Sequence, residues 1–192
     1  MSAMSSHTTV AAETTQRIVI TGGPGSGKST LLRALADAGE VCYEEVSRLL
    51  IREQKAVGGD LLPWMNLAGF AKECVTRMRM QLSDSVRYRR AFFDRGLPDV
   101  IGYLRHGGLM APRELYAASG AYSPIVFFAP PWPEIYVNDT ERPQSYAEAV
   151  ALSAQIRTAY TDCGLQLIEL VRGSIRDRLR QVRQHVQIEA CA

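Results

Sequence analysis

Short apolar runs alternate with helical stripes along this chain. Arg17-Ile-Val-Ile-Thr21 is a β-branched run of the kind that forms a buried parallel strand. Ser29-Thr-Leu-Leu-Arg-Ala-Leu-Ala-Asp37 follows, with Leu31, Leu32, Leu35 and Ala36 on one helical face. A short strand is expected at Glu40-Val-Cys-Tyr43, then a charged helix start from Glu44 to Glu53. Gly58-Gly59-Asp60 breaks the chain, and Asp60 is the candidate cap of a long helix from about Leu61 to Tyr88. Its stripe is Trp64, Leu67, Ala68, Ala71, Cys74, Val75, Met78, Leu82 and Val86, at three-to-four spacing. Arg90-Ala-Phe-Phe-Asp94 is a buried strand that closes in a carboxylate. Helices over 98–105 and 112–118 lead to a strand at Pro124-Ile-Val-Phe-Phe-Ala129, which Pro130-Pro131-Trp132-Pro133 halts. A polar stretch, 138–145, precedes a helix from Tyr146 to about Tyr160. Leu165–Val171 is the last strand, and Ser174 to about Ile188 is an amphipathic helix striped by Ile175, Leu179, Val182 and Val186.

Five strands separated by helices predict an α/β fold of three layers, a five-stranded parallel sheet with helices on both faces. The expected organisation is one domain over 17–192 behind a disordered Ser/Thr/Ala-rich leader, 1–16. In such a sheet, ligands bind beyond the carboxyl ends of the strands, so the chemistry should sit just after each one.

After the first strand stands Gly22-Gly-Pro-Gly-Ser-Gly-Lys-Ser-Thr30, which fits the P-loop pattern G-x-x-x-x-G-K-[ST]. The glycines admit positive φ and carry no Cβ, so consecutive backbone N–H groups can turn inward around a phosphate. Gly23, Pro24, Gly25, Ser26, Gly27, Lys28, Ser29 and Thr30 are therefore the candidate ATP-binding residues. Lys28 supplies a point charge for the β and γ oxygens, and Ser29 a hydroxyl for Mg²⁺. The following helix aims its positive end at the same anion.

The other strand ends add candidates. Asp94 is placed to be the second metal-side ligand, since hydrated Mg²⁺ is held through one or two carboxylates. Arg95 beside it is expected to reach charge on a transferred phosphoryl group. Glu44 and Glu45, with Arg48 a turn on, follow the second strand, where either carboxylate can accept a proton from a substrate hydroxyl or serve as ordinary helix-start charge. Asp139, Glu141, Arg142 and Gln144 lie in a loop that is either a lid over phosphates, with Arg142 as its cation, or a solvated turn. Arg172-Gly173-Ser174 either borders a purine base or caps the last helix. Trp64, Phe70 and the methionines are expected in the core. His7, His106 and His185 lack ligand spacing and receive no role.

Bulk properties narrow the partners. The chain has 192 residues, 46% hydrophobic and 22% charged, enough for a core of its own. A net charge of +2 gives no electrostatic reason to expect nucleic acid. Cys42, Cys74, Cys163 and Cys191 form no CxxC pair, which fits reduced thiols in the cytoplasm rather than a zinc site. No apolar run reaches the ~18 residues of a membrane span, and the N-terminal segment lacks the basic start and apolar core of a secretory signal.

Taken together, the P-loop, Glu44-Glu-Val-Ser-Arg48, Phe92-Phe-Asp-Arg-Gly-Leu-Pro-Asp99, Val126-Phe-Phe-Ala-Pro-Pro-Trp132 and Glu141-Arg-Pro-Gln144 resemble the small AAA-domain P-loop ATPases. That family includes the nicotinamide riboside kinase domain of a bifunctional NAD-biosynthesis regulator. More distantly, the chain resembles nucleoside and nucleotide kinases. The resemblance covers about residues 17 to 188 and implies a kinase-like site: Lys28 and Ser29 on ATP and Mg²⁺, Asp94 as the metal-linked acid, Arg95 on the phosphates, Glu44 or Glu45 on the acceptor side and Arg142 in the lid. The family's arginine-rich lid is reduced here to Arg142.

Two functions follow. One is a Mg²⁺-dependent phosphotransferase that moves the ATP γ-phosphoryl to a small polar, nucleoside-like acceptor. The other is a nucleotide-dependent regulatory NTPase or switch that binds a protein partner. Asp94-Arg95-Gly96, the acidic exit of the second strand and the candidate lid favour the first. No NKxD guanine motif or LSGGQ-like signature supports a conventional GTPase or an ABC ATPase.

Overall fold

The computed structural model describes residues 15–136 and 145–189. Its sheet has five parallel strands in the order β2-β3-β1-β4-β5. They are β1 (Gln16–Gly22), β2 (Cys42–Tyr43), β3 (Arg90–Asp94), β4 (Ile125–Ala129) and β5 (Gln166–Glu169). Alternation along the strands divides the core in two. Val19, Phe93, Val126 and Phe128 pack with residues of α2 (Val46–Val57), α3 (Leu67–Asp84), α4 (Leu97–His106) and α6 (Tyr146–Asp162). Ile18, Ile20, Phe92, Phe127 and Ala129 pack with α1 (Lys28–Asp37) and α7 (Ile175–Glu189). The short α5 (Arg113–Ala118) lies against α4. Because both faces are covered, the central strands read as unbroken apolar runs. This is the expected three-layer α/β fold.

Register carries the chemistry to one edge. Ile20 of β1 pairs with Asp94 of β3 and with Phe127 of β4, so the P-loop leaves the sheet beside the Asp94 carboxylate. Gly22, the last β1 residue, pairs with Ala129 at φ 130°. A Cβ there would stand 2.1 Å from the Ala129 carbonyl oxygen. Gly22→Ala is therefore expected to destabilise the fold by about 3 kcal/mol or more, combining a backbone clash with positive-φ strain. Gly120→Ala, which meets nothing within 4 Å, is the control and should stay within about 0.5 kcal/mol in urea melts.

The long central helix departs from expectation. It starts at Leu67 rather than Leu61, capped by the Asn66 side chain, which accepts from Gly69 N at 2.9 Å. Asp60 is not its cap. Residues 61–66 instead form turns around Pro63, which leaves Trp64 half exposed rather than in the core. The helix ends at Asp84 and tightens into a 3₁₀ turn, Ser85–Arg87, so Val86 lies on the surface. Phe70 and Met78 are buried as expected, whereas Met65, Met80 and Met110 are exposed. Helix α2 starts two residues later than expected and runs on to Val57, where Gly58 stops it at φ 66°.

Candidate functional site

The P-loop takes the shape its glycines permit. Gly25 and Gly27 have φ of 68° and 79°, and α1 begins at Lys28. The Lys28 ammonium is buried inside the loop and donates to the Gly23 carbonyl at 2.7 Å and to Ser26 Oγ at 3.2 Å. Ser26 Oγ in turn donates to the Gly23 carbonyl at 2.8 Å. From the segment after β4, the Tyr136 ring lies against Gly25, where a Cβ would meet it at 2.6 Å. Tyr136 also packs edge-to-face on Tyr146, the first residue of α6, with centroids 5.3 Å apart.

Ser29 faces the carboxylate that register brings to it. Its hydroxyl donates to Asp94 Oδ2 at 3.2 Å, and Asp94 is almost fully buried. A hydroxyl and a carboxylate oxygen side by side form a hard oxygen donor pair of the kind that suits Mg²⁺. Among the described residues, no three His, Cys, Asp or Glu side chains form a metal cage by themselves. The pair therefore fits an ion that takes its remaining ligands from water and phosphate.

Arg95 does not point where the sequence suggests. Its φ of 72° is uncommon for a residue with a Cβ, and its side chain is fully buried. Nε donates to Glu45 Oε1 at 2.9 Å, and Nη1 to both the Gly22 carbonyl and Asp99 Oδ1 at 2.9 Å. Burial pulls its pKa down, but the carboxylate of Glu45, then Tyr103, Asp99 and Asp94, outweigh burial and hold it well above the usual arginine value. Arg95 thus ties the end of β1 to the N-termini of α2 and α4.

Asp99, which sequence reasoning did not single out, is the hub of this cluster. Its Oδ1 accepts from Thr21 Oγ1 at 2.7 Å as well as from Arg95. Its Oδ2 accepts from Gly96 N at 2.9 Å and Tyr160 Oη at 2.6 Å. Burial, reinforced by the Asp99 charge, pushes the Tyr160 hydroxyl far above the ordinary tyrosine range, so it stays a donor. The local signal was the i,i+4 spacing of Arg95 and Asp99 and the position of Asp99 in the first turn of α4.

The two glutamates separate. Glu45 is buried, holds Arg95 and accepts from Ser47 Oγ at 2.6 Å, whereas Glu44 is exposed. Two cavities flank Glu45. The first, of about 310 Å³, is lined by Ser29, Asp94, Glu44, Glu45, Arg33, Arg48 and Arg52 among others. The second, of about 200 Å³, has Pro24 of the P-loop and Glu45 on its wall with Trp64, Phe70, Tyr103 and His106. Trp64 and His106 are thus cavity-lining side chains, which the helical stripe did not foretell. Arg142 and the rest of the expected lid, apart from Ser145, lie outside the described residues, as does His7. Ser174 caps α7, accepting from Asp177 N at 3.3 Å.

Residues 17–178 match a family described as an AAA domain. The chain belongs to this AAA-domain family. No curated protein matches it. Among solved structures, it is similar to the NadR protein in complex with NR, at 18% identity and a TM-score of 0.66. That likeness covers 91% of this chain and 51% of the NadR chain, about half its length. The deoxyadenosine kinase of M. mycoides, solved with dCMP and dCDP, is 15% identical with a TM-score of 0.63, over 90% of this chain and 99% of the kinase. The shikimate kinase of Acinetobacter baumannii, solved with shikimate, is 21% identical with a TM-score of 0.58, over 93% and 97%. At these identities the likeness concerns the fold, which is that of the P-loop kinases. No helix among the described residues is long and apolar enough to cross a membrane.

Proposed function

We propose that this AAA-domain protein is a phosphotransferase that moves the γ-phosphoryl of ATP, with Mg²⁺, to a hydroxyl or phosphate of a small, nucleoside-like acceptor. The observation that carries this is the position of Glu45 between a donor corner and an aromatic cavity. On one side stand Ser29 and Asp94, 3.2 Å apart, and on the other Pro24, Trp64, Phe70 and Tyr103. Flat apolar side chains beside a carboxylate suit a ring that carries hydroxyls.

Each residue then has a role. The P-loop N–H groups and Lys28 hold the β and γ phosphates. Ser29 and Asp94 would hold Mg²⁺, which neutralises charge on the nucleotide when bound. Glu45 takes the proton of the attacking hydroxyl as its oxygen bonds to the γ-phosphorus and the bond to ADP breaks. Arg95 acts on Glu45 rather than on phosphate, holding that carboxylate in place through a 2.9 Å ion pair. Glu44 lines the charged cavity, and Arg142, outside the described residues, is assigned as a further cation for the phosphates. A cytoplasmic site of action belongs to the same proposal, supported by free Cys42, Cys74 and Cys163.

Glu45→Gln tests the acceptor side. With a competent acceptor, turnover is expected to fall about 10²-fold or more, the range of a lost general base. ATP binding by calorimetry should persist. Unchanged phosphoryl transfer in Glu45→Gln would remove Glu45 from this role.

A further inference from the structure

Two arginines are almost fully buried near the P-loop, and their surroundings differ. Arg95 is surrounded by carboxylates, with Glu45 and Asp99 both at 2.9 Å. Arg178, in the first turn of α7, has no carboxylate partner among the described residues, although it is only 1% exposed. Its Nη1 donates to the Ser26 carbonyl at 2.8 Å and its Nε to the Val171 carbonyl at 2.9 Å. The guanidinium lies 5.0 Å from the centroid of the Trp132 ring, and, like Arg95 Nη2, its buried Nη2 has no hydrogen-bond partner among the described residues.

A buried charge without a countercharge is expensive, and a single unmade hydrogen bond adds to that. The position of this charge explains why it is tolerated. A Cβ on Gly27 would come within 3.1 Å of Arg178 Nη1, so the guanidinium lies flush against the back of the P-loop. The Ser26 carbonyl and the Gly27 N–H belong to one peptide unit. A cation on that carbonyl polarises the peptide and strengthens its N–H as a donor on the loop side. In the low-dielectric ground behind the loop, the charge also reaches an anion in front of it with little screening.

We infer that Arg178 is a second cation of the P-loop, a positioning residue that acts through the Ser26–Gly27 peptide and whose countercharge is the polyphosphate of the bound nucleotide. The inference rests on the P-loop holding a nucleotide but not on any acceptor. Burial lowers the Arg178 pKa from the usual arginine value, which fits a charge awaiting its partner. Trp132 covers one face of the guanidinium and limits its contact with water.

The test compares Arg178→Met and Arg178→Lys with the wild-type chain by calorimetry, using ATP and inorganic tripolyphosphate as probes without acceptor. Arg178→Met is expected to weaken both probes by about ten- to a hundredfold, the range for losing one weakly screened positive charge behind the loop. Arg178→Lys, which keeps the charge, is expected to recover most of the loss. The inference is overturned if Arg178→Met binds both probes like wild type. It is equally overturned if Arg178→Lys binds as poorly as Arg178→Met, since the two backbone hydrogen bonds rather than the charge would then explain the effect. Weakening of ATP alone, with tripolyphosphate unchanged, would move Arg178 to the base and contradict the phosphate role. Should Arg178→Met fail to fold, Arg178→Gln carries the same outcomes. Failure of the wild-type chain to bind either probe would overturn this inference and the nucleotide reading together. Binding without phosphoryl transfer to any metabolite would sink the kinase reading alone.

Discussion

Lys28→Ala is expected to abolish nucleotide binding at micromolar ATP and to reduce turnover by on the order of 10²–10³ or more. The reason is preorganisation. The ammonium is 3% exposed and held within the loop by the Gly23 carbonyl and Ser26 Oγ. Phosphate oxygens entering the loop meet a cation that is already desolvated and aimed, so little reorganisation opposes binding. Alanine removes the charge and leaves the backbone cradle, whose N–H groups alone bind polyphosphate far more weakly. The fold should survive, because the bonds to the Gly23 carbonyl and Ser26 Oγ disappear together with the cost of burying the ammonium. Calorimetry and thermal melting separate the two effects: ATP heat is lost while the apo melting temperature changes little. Retained binding would show that this loop is a glycine turn and not a nucleotide site.

Asp94→Asn is the second large effect. Mg²⁺-dependent turnover is expected to fall about 100-fold or more, in line with the several kcal/mol that a metal-held charge contributes. Asparagine has the same shape, and its amide oxygen can still accept from Ser29 Oγ, which the wild-type carboxylate binds at 3.2 Å. The fold should therefore persist, and circular dichroism should overlay on wild type. The Mg²⁺ concentration for half-maximal activity should rise. Full activity in Asp94→Asn would mean that the metal corner lies elsewhere.

The central strands were legible because they are unbroken apolar runs flanked by turn formers. β3 occupies Arg90–Asp94 as read, and β4 stops before Pro130. The P-loop was legible because its glycines are needed for local backbone geometry, which a short motif encodes. Direction was harder. Asp94-Arg95-Gly96 announces charge at a strand end, but the φ of 72° at Arg95 turns its side chain inward to Glu45, fifty positions away in sequence. The Asp99 hub needs Thr21 and Tyr160, and Arg178 meets Ser26 across 152 positions. No local pattern reports contacts of that span. Trp64 was misplaced because a periodic stripe continued past the true helix start, where Asn66 outcompetes Asp60 as cap.

Phosphoryl transfer itself is the most direct measurement. The wild-type protein is incubated with Mg²⁺ and ATP labelled in its γ-phosphate, with and without pooled nucleosides and other small polar metabolites, and the products are separated. Label on a small molecule, lost in Glu45→Gln and Asp94→Asn, is the expected result. Label released only as inorganic phosphate, at a rate that no metabolite changes, would contradict it.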